Sequence, residues 1–280
     1  MLRGLYTGAS GMVAQQHRMD ALSNNLANVD VTGYKRDTSI SKAFPELLIR
    51  RLNDDGLRTF PLGSYDTAPI VGKMGSGVEY NESFTVFEQG SLKETGNPFD
   101  LALEGKGFFV VDTPHGERYT RNGSFLMNNE GFLVTKHGHH VLGENGPIQI
   151  KANNFTIDRH GQIFENALYS GTPEELVAMM ENEWEETVLV DTLQIVDFPR
   201  GRYLQKQGNS FWAATTESGR PFGLDGETQV IQGFLETSNV NPVTEMVRMI
   251  EVNRAYEANQ KSIQTHDNLM GKLVNEVLRA

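Results

Sequence analysis

Hydrophobic residues recur at every seventh position near both ends of the chain, and this repeat is absent from the middle. Near the amino terminus the repeat consists of Leu5, Met12, Met19 and Leu26, with Leu22 and Val29 three positions after the last two. Near the carboxyl terminus it consists of Met249, Tyr256, Ile263, Met270 and Val277, and Leu273 widens the stripe. A seven-residue repeat places its members in one narrow seam of a helix that packs against other helices. The pattern therefore predicts a helix at each end, and each of these helices needs a partner.

The middle of the chain follows a different period. From Val78 to Val86, apolar side chains alternate with polar ones, which is typical of a half-buried strand. Turn signals that contain glycine then recur every eight to twelve residues, and short apolar runs lie between them. This spacing predicts an antiparallel β domain of the sandwich or barrel type. Asn122-Gly123 gives the strongest hairpin signal, because a type I′ turn needs positive φ at both central residues.

The two patterns divide the chain into four predicted segments. These are an N-terminal axial helix at residues 1–35, a linker at 36–77, a β-rich outer domain at 78–238 and a C-terminal axial helix at 239–280. Within the linker, Phe44–Leu52 is interpreted as a short amphipathic helix that precedes an irregular extended segment. Within the outer domain, residues 172–186 are interpreted as an acidic helical insertion, because glutamates occur throughout and Pro173 lies near the start.

The start of the C-terminal helix is well marked, because Asn241 is a favourable N-cap and Pro242 fits the first helical position. The predicted fold class is a mainly β middle domain, an antiparallel sandwich or barrel, inserted between N- and C-terminal α-helices that pair as a coiled-coil-like tube element. Gly4, Gly8 and Gly11 each cost the first helix about 1 kcal/mol relative to alanine, and long isolated helices are marginal in water. We therefore expect the helices of a free monomer to fray and to become ordered on assembly.

Composition excludes several classes of function. With 280 residues and 38% hydrophobic content, the chain can bury a substantial core. No apolar run is long enough to span a membrane, and the first residues lack the apolar segment of a cleavable secretory signal. The absence of cysteine excludes disulfides and thiol catalysis. A net charge of −11 and a pI near 5.1 argue against nucleic acid as a partner.

The seam residues are the candidate subunit-interface residues, together with asparagines, which helices disfavour. Asn25, Asn28 and Asn253 either hydrogen-bond to neighbouring helices, or fix the break between helix and linker, or form local caps and turns. The sequence leaves these interpretations open. For the apolar seam residues we expect contacts between subunits, because a unit of two helices is too thin to bury both seams. The alternative is the core of an intramolecular helix pair.

No set of residues predicts catalysis, a cofactor site or a metal site. Residues 137–140 read HGHH, but they flank a turn and lack a carboxylate at ligand spacing, so they are interpreted as a solvated hairpin. Asp158, His160 and Glu165 lie close together in sequence, but neither a nucleophile nor a pocket signal accompanies them.

Two long motifs carry a resemblance to a known family. SNNLANVDVTGYKR (Ser23–Arg36) and ETSNVNPVTEMVRMIEVNRAYEANQKSIQTHD (Glu236–Asp267) resemble the signatures of the bacterial flagellar axial proteins, the rod and hook family. The opening GLYTGASGM and the central LALEGKGFFVV and YTRNGSFLMNNEGFLVT resemble the rod-type members. The chain has the length of a rod protein, and HVLGENGPIQI together with LETSNVNPVTEM favours the proximal-rod type over the distal-rod type.

The resemblance implies a structural role. Members of this family are exported unfolded through the flagellar type III apparatus without a cleaved signal, and they assemble in the periplasm as part of the basal body. Their terminal helices form a tube around an export channel, the β domain forms the outer layer, and the rod transmits torque to the hook. The implied partners are further copies of the chain, other rod proteins and the export apparatus. Surrounding rings are additional candidates, contacted through the β domain or residues 172–186.

Other classes of function can be distinguished from this structural role. A β-sheet binding module or enzyme with a helical oligomerisation stalk would need only one terminal helix, whereas the seven-residue repeat occurs at both ends. A cap or chaperone-like assembly factor would not remain in purified basal bodies.

Overall fold

The computed structural model describes residues 2–50, 59–60, 63–64, 70–151, 154–166, 187–208, 210–224 and 228–277. The chain divides into two compact units, each of which draws on separate stretches of sequence. The first unit consists of Met1–Asn24, Asp37–Phe84 and Val243–Ala280, and the second consists of Asn25–Arg36 and Thr85–Pro242. Both terminal helices therefore belong mainly to the first unit, whereas the segments that adjoin them belong to the second.

The described residues form two α-helices and twenty-three strands. Helix α1 spans Leu2–Ala27 and helix α2 spans Pro242–Val277. The strands that begin in the first unit are β1 (Asp37–Ala43), β2 (Leu47–Arg50), β3 (Thr59–Phe60), β4 (Gly63–Ser64), β5 (Ile70–Met74) and β6 (Val78–Thr85). The strands of the second unit are β7 (Leu92–Glu94), β8 (Leu101–Glu104), β9 (Phe108–Thr113), β10 (Gly116–Thr120), β11 (Phe125–Met127), β12 (Leu133–Thr135), β13 (His140–Gly143), β14 (Gly146–Pro147), β15 (Thr156–Ile157), β16 (Gln162–Asn166), β17 (Thr187–Thr192), β18 (Ile195–Asp197), β19 (Gln205–Lys206), β20 (Phe211–Ala213), β21 (Phe222–Gly223), β22 (Gln229–Gln232) and β23 (Phe234–Glu236).

Three glycines of α1 lie directly against side chains of α2. A Cβ atom added to Gly4 would lie 2.6 Å from His266 Nε2, one on Gly8 would lie 2.9 Å from Ile263 Cγ1, and one on Gly11 would lie 2.9 Å from Asn259 Nδ2. Such distances leave no room for a larger residue unless these side chains of α2 move. The glycines that weaken α1 as an isolated helix therefore allow α2 to approach it closely.

The strands of the first unit form two-stranded ribbons, in which β1 pairs with β6, β2 with β5 and β3 with β4. The interpretation of Phe44–Leu52 as a helix is wrong, because Leu47–Arg50 is strand β2 and runs antiparallel to Ile70–Met74. The backbone of this segment gains its hydrogen bonds from a partner that lies about twenty residues away. Local helical periodicity carries no information about such a partner.

The second unit is built from antiparallel strands. Its largest sheet has ten strands in the order β11-β12-β13-β9-β10-β20-β19, with β14 beside β13 and with β18 between β9 and β21. A further sheet has the order β15-β16-β17, and two ribbons pair β8 with β22 and β7 with β23. The prediction of a mainly β chain with a helix at each end is therefore confirmed.

Strand β9 separates two hydrophobic clusters. Phe109 belongs to a cluster with Phe125 and Ile163. Phe108 and Val110, which lie on either side of Phe109 in the sequence, belong to a second cluster around Trp212. Successive side chains of a strand point to opposite faces, so a strand with apolar residues at adjacent positions supplies both clusters. The Phe108 and Trp212 rings lie 5.6 Å apart, and Trp212 is completely buried.

The prediction of a hairpin at Asn122-Gly123 is wrong. Strand β10 precedes this pair but is joined to β9 and β20, and strand β11 follows it but is joined to β12. Gly123 is needed for another reason, because an added Cβ atom would lie 1.6 Å from the carbonyl oxygen of Leu101. Close backbone approach is the second common reason for glycine in a β protein, and it cannot be distinguished from a turn in a sequence.

The start of α2 at Pro242 confirms the predicted boundary. The predicted acidic insertion at residues 172–186 lies outside the described residues. Neither helix, over the part of the chain that the structure describes, has a stretch long and apolar enough to cross a membrane.

The glycine contacts generate a prediction with opposite signs at two positions. Gly8→Ala should destabilise the helical part of the protein, because overpacking costs about 1–3 kcal/mol and outweighs the gain in helix propensity. Gly271→Ala in α2 should instead stabilise it by up to about 1 kcal/mol, because an added Cβ atom there meets nothing within 4 Å. Thermal unfolding followed by far-ultraviolet circular dichroism measures both effects. Equal stabilisation by the two substitutions would contradict the close helix contact.

Candidate assembly site and helix junction

A single chain covers the predicted seam of α1 only in part. Leu22 and Asn25 are buried, and the half-buried residues are Leu5, Met12, Met19, Leu26, Asn28 and Val29. The last two follow the end of α1, because the helix ends at Ala27.

The predicted seam of α2 is covered even less. Met249, Ile263 and Met270 are half-buried, whereas Asn253, Tyr256 and Leu273 are exposed. The side chain of Val277 lies outside the described residues. The structure therefore assigns the α2 seam residues to two groups, of which one lies against the rest of the chain and the other faces solvent.

The sequence analysis missed a second set of contact positions on α2. Glu245, Val252, Asn259 and His266 also recur every seventh residue; the first two are buried and the last two are half-buried. Asn259 and His266 are the side chains that meet Gly11 and Gly4. The spacing was present in the sequence, but three of these four side chains are polar and do not register in a hydrophobic repeat. The matching signal on α1 was the close spacing of its three glycines.

Large apolar side chains of the first unit remain exposed. On the helices these are Tyr6, Val13, Val243, Met246, Val247, Ile250, Leu269 and Val274, in addition to Tyr256 and Leu273. On the ribbon of β2 and β5 they are Leu47, Leu48, Ile49, Ile70 and Val71. Helices that pack on one neighbour usually present polar residues to water, and a two-stranded ribbon is at best marginally stable alone. Exposed apolar patches of this kind mark sites of association.

In the second unit, the segments that adjoin the two helices lie together. We call them the junction and define it as residues 25–36 and 236–241. Tyr34 is buried, and its hydroxyl donates to Asn25 Oδ1 at 3.2 Å, which connects the last turn of α1 to the chain that follows. Within the chain Asn25 therefore makes a local contact, and it takes part in other contacts as well.

Gly33 brings the junction close to the sheet. Its φ is +66°, which favours glycine, and an added Cβ atom would lie 2.6 Å from the carbonyl carbon of Arg121. Its N–H donates to the carbonyl oxygen of Glu236 at 2.8 Å. Beside it, Thr32 Oγ1 donates to Asn122 Oδ1 at 2.8 Å. The segment that follows α1 therefore contacts the β domain.

Glu236 is the centre of the junction, and its side chain is completely buried. Its Oε1 accepts hydrogen bonds from Lys35 Nζ at 2.5 Å and from the N–H of Gly90 at 2.8 Å, and its Oε2 lies 3.4 Å from Arg121 Nη1. Lys35 also donates to the carbonyl oxygen of Glu88 at 2.7 Å. One carboxylate therefore joins segments that lie as far as 201 positions apart in sequence.

Two cations share this one carboxylate. The side chains of Lys35 and Arg121 are 1% and 6% exposed. Burial lowers the pKa of the Lys35 amine from its ordinary value of 10.5; Arg121 lowers it further, and Glu236 opposes both effects. Burial also lowers the pKa of the Arg121 guanidinium, which Glu236 and Asp197 partly offset. The guanidinium gains additional support from the carbonyl oxygen of Gly105 at 2.7 Å.

A second hydrogen-bond set holds the outer side of the junction. Asn239 Oδ1 accepts from the N–H of Arg36 at 2.8 Å, and Asn239 Nδ2 donates to the carbonyl oxygens of Val86 and Glu88. Arg36 and Glu88 form a more exposed ion pair at 3.4 Å. Arg36 and Asn239 lie in the two long motifs that carry the family resemblance. No feature of the sequence, however, pairs Lys35 with Glu236.

The histidines of residues 137–140 lie beside aromatic rings. The HGHH segment forms the turn between β12 and β13, where His137 and His139 lie near Phe211. Among the residues that the structure describes, no cluster of three or more metal-ligating side chains is found.

Removing the central charge should be costly. Glu236→Gln leaves Lys35 and Arg121 buried without a counter-ion, so we expect the free energy of unfolding to fall by about 3–5 kcal/mol. Glu88→Gln is the matched control, because its side chain is 68% exposed and such pairs contribute less than about 1 kcal/mol. Chemical denaturation of both variants measures the difference. Similar small losses in the two variants would show that Glu236 does not hold the junction.

The lowered pKa of Lys35 predicts a pH dependence. Between the lowered pKa and 10.5, the unfolded chain binds more protons than the folded chain, so the free energy of unfolding should rise with pH. Burial raises the pKa of Tyr119 above 10.0, which acts in the opposite direction only above that pH. Wild type and Lys35→Met should therefore differ in slope from neutral pH to pH 10. Denaturation curves across this range test the sign, and parallel curves would contradict it.

Three family models match separate parts of the chain. The model described as flagella basal body rod protein matches residues 5–35, and the flagellar hook protein FlgE/F/G D1 domain matches residues 102–165. The model described as flagellar basal body rod FlgEFG protein C-terminal matches residues 231–276. The first match covers residues 25–35 of the junction, the third covers residues 236–241, and the second contains Arg121.

Whole proteins match over nearly the full chain. The flagellar basal-body rod protein FlgG of Buchnera aphidicola subsp. Schizaphis graminum is 34% identical over 281 residues, which cover 98% of this chain and 99% of the relative. The FlgG of Borreliella burgdorferi is 34% identical over 277 residues, with 97% of each chain covered. The flagellar hook-basal body complex protein FlhO of Bacillus subtilis is 33% identical, with 99% of each chain covered. The chain belongs to the flagellar basal-body rod protein family, and it is a structural subunit of the rod rather than an enzyme.

Proposed function

We propose that this subunit polymerises through its terminal helices into a periplasmic drive shaft that transmits torque to the hook and surrounds the export channel. In this proposal, residues 1–35 and 239–280 are axial, residues 36–77 link them to the outer layer, and residues 78–238 form that layer. The helices pair in a coiled-coil-like manner and are completed by helices of neighbouring copies. The observation that carries the proposal is the apolar surface that both helices leave exposed in a single chain.

The pattern of exposure supports contacts between copies. On α2, Ile250 is 52% exposed and Val243 is 69% exposed, while Val252 on the opposite part of the surface is buried. Part of the apolar surface of α2 is therefore covered within the chain, and another part is exposed to solvent. On α1, Tyr6 and Val13 lie two turns apart, and they are 71% and 51% exposed. Neighbouring subunits would remove this surface from water.

The proposal includes a route and further partners. The subunit reaches the periplasm through the flagellar export apparatus without a cleaved signal, and it contacts other rod proteins at the ends of its own segment. Surrounding rings are candidate partners of the β domain or of residues 172–186. The sequence supports these points through the family resemblance, and each is tested by which proteins crosslink to the subunit in purified basal bodies.

Position along the rod distinguishes two forms of the proposal, proximal and distal. The motifs of the sequence favoured the proximal form. Cryo-electron tomography of basal bodies that carry a tagged subunit measures the height of the tag above the inner membrane. A tag near the inner membrane identifies the proximal form, and a tag next to the hook identifies the distal form.

A charge placed on the exposed apolar surface should block assembly without unfolding the monomer. Ile250→Glu should change the stability of the purified chain by no more than about 0.5 kcal/mol, because the side chain is exposed. Cells that produce it should nevertheless be non-motile, and the protein should be absent from purified basal bodies, because a carboxylate in an apolar interface is not solvated.

Gln264→Glu is the matched control, because it adds the same charge at an exposed position of the same helix. This variant should retain swimming. Normal motility and incorporation of the Ile250→Glu protein would overturn the proposed assembly surface, and loss of its folded structure would show that Ile250 acts within the monomer.

A further inference from the structure

Two buried cations of the junction share one fully buried carboxylate. Glu236 and Arg121 form one buried pair, and Lys35 adds a second cation to the same carboxylate. Asp197 partly compensates the charge of Arg121 and Glu88 partly compensates that of Lys35, but neither of these residues is fully buried. Placing a charge in the interior costs free energy unless it is paired. A carboxylate that already has one cationic partner stabilises a second cation less. Burial is the main cause of the lowered pKa of the Lys35 amine, and the nearby charge of Arg121 lowers it further.

Lys35 is also dispensable as a hydrogen-bond donor. Without it, Glu236 Oε1 keeps the N–H of Gly90 at 2.8 Å, and the carbonyl oxygen of Glu88 keeps Asn239 Nδ2 at 3.2 Å. Neither acceptor would lose its last hydrogen-bond partner. Lys35 adds a second buried cation, and its acceptors have other donors. A contribution to folding stability therefore does not account for a lysine at this position.

Lys35 instead restricts the arrangement of the junction. An ammonium group that is 1% exposed is tolerated only where acceptors surround it, and here Glu236 Oε1 and the carbonyl oxygen of Glu88 lie on two different segments. A methylene or methyl group in the same place would accept many arrangements of the junction. A single buried polar group can fix one register among several of similar energy, at a cost in stability.

We propose that Lys35 is a positioning residue, which selects one placement of the segment after α1 on the β domain at the expense of stability. The amine reaches both acceptors only when residues 31–36 occupy this placement. The consequence for a rod subunit rests on the proposed function: the segment that follows the N-terminal helix has the same placement in every copy. The placement itself is a property of the isolated chain.

The test compares purified full-length wild type with Lys35→Met, which keeps the length of the side chain and removes its charge. Two measurements are made on each protein: chemical denaturation, and amide NMR resonances of Thr32, Gly33 and Arg36. We expect Lys35→Met to unfold at an unchanged or higher denaturant concentration. We also expect each of the three amides to give several resonances or one broadened resonance, while Val111 in strand β9 keeps a single sharp one.

Arg36→Met is the matched control, because Arg36 is adjacent and its ion pair with Glu88 is partly exposed. This variant should retain single resonances at Thr32 and Gly33. Its result shows whether loss of any cation in the segment has the same effect.

Two outcomes overturn the inference. Single sharp resonances at all three amides in Lys35→Met would show that the placement does not need the amine. A clear loss of stability, with Val111 affected as well, would show that Lys35 is an ordinary structural residue. Neither measurement depends on motility, so a failure of the proposed rod assembly and a failure of this inference are distinguished by separate experiments.

Discussion

The buried carboxylate of Glu236 is the interaction on which the junction depends. It lies at the end of the last strand before α2 and receives donors from the segment after α1, from the chain before β7 and from the end of β10. Because water is excluded, its charge is compensated only by Lys35 and Arg121. The position of each of these residues is consequently coupled to the others, and a substitution at one changes the electrostatic environment of all three.

Much of the architecture could be inferred from periodicity. The seven-residue repeat located both helices, and the alternation after Val78 with regular turn signals identified an antiparallel β region. These features depend on neighbouring residues in the sequence, which a local pattern records. Contacts between segments that are far apart in the sequence could not be inferred in this way. The strand at Leu47–Arg50 and the role of Gly123 are both decided by segments that lie elsewhere in the chain.

The site was only partly predictable for a related reason. Apolar seam residues were identified because hydrophobicity repeats visibly, whereas Asn259 and His266 occupy equivalent positions with polar side chains. The glycines of α1 were interpreted through propensity alone, although their spacing also permits close helix contact. Lys35, Arg121 and Glu236 had no sequence signal as a group. Only the family resemblance drew attention to the three motifs that contain them, and it offered no physical reason for these residues.

The separation of the junction residues along the chain has a kinetic consequence. Lys35 lies near one end of the polypeptide and Glu236 near the other, so their contact closes a loop of about two hundred residues. Closing a long loop costs entropy before any contact compensates for it, which makes such contacts late events in folding. A chain that emerges amino terminus first therefore completes its junction only after nearly all of it has emerged. Until then, its first helix is attached to a β domain that has not completed its folding.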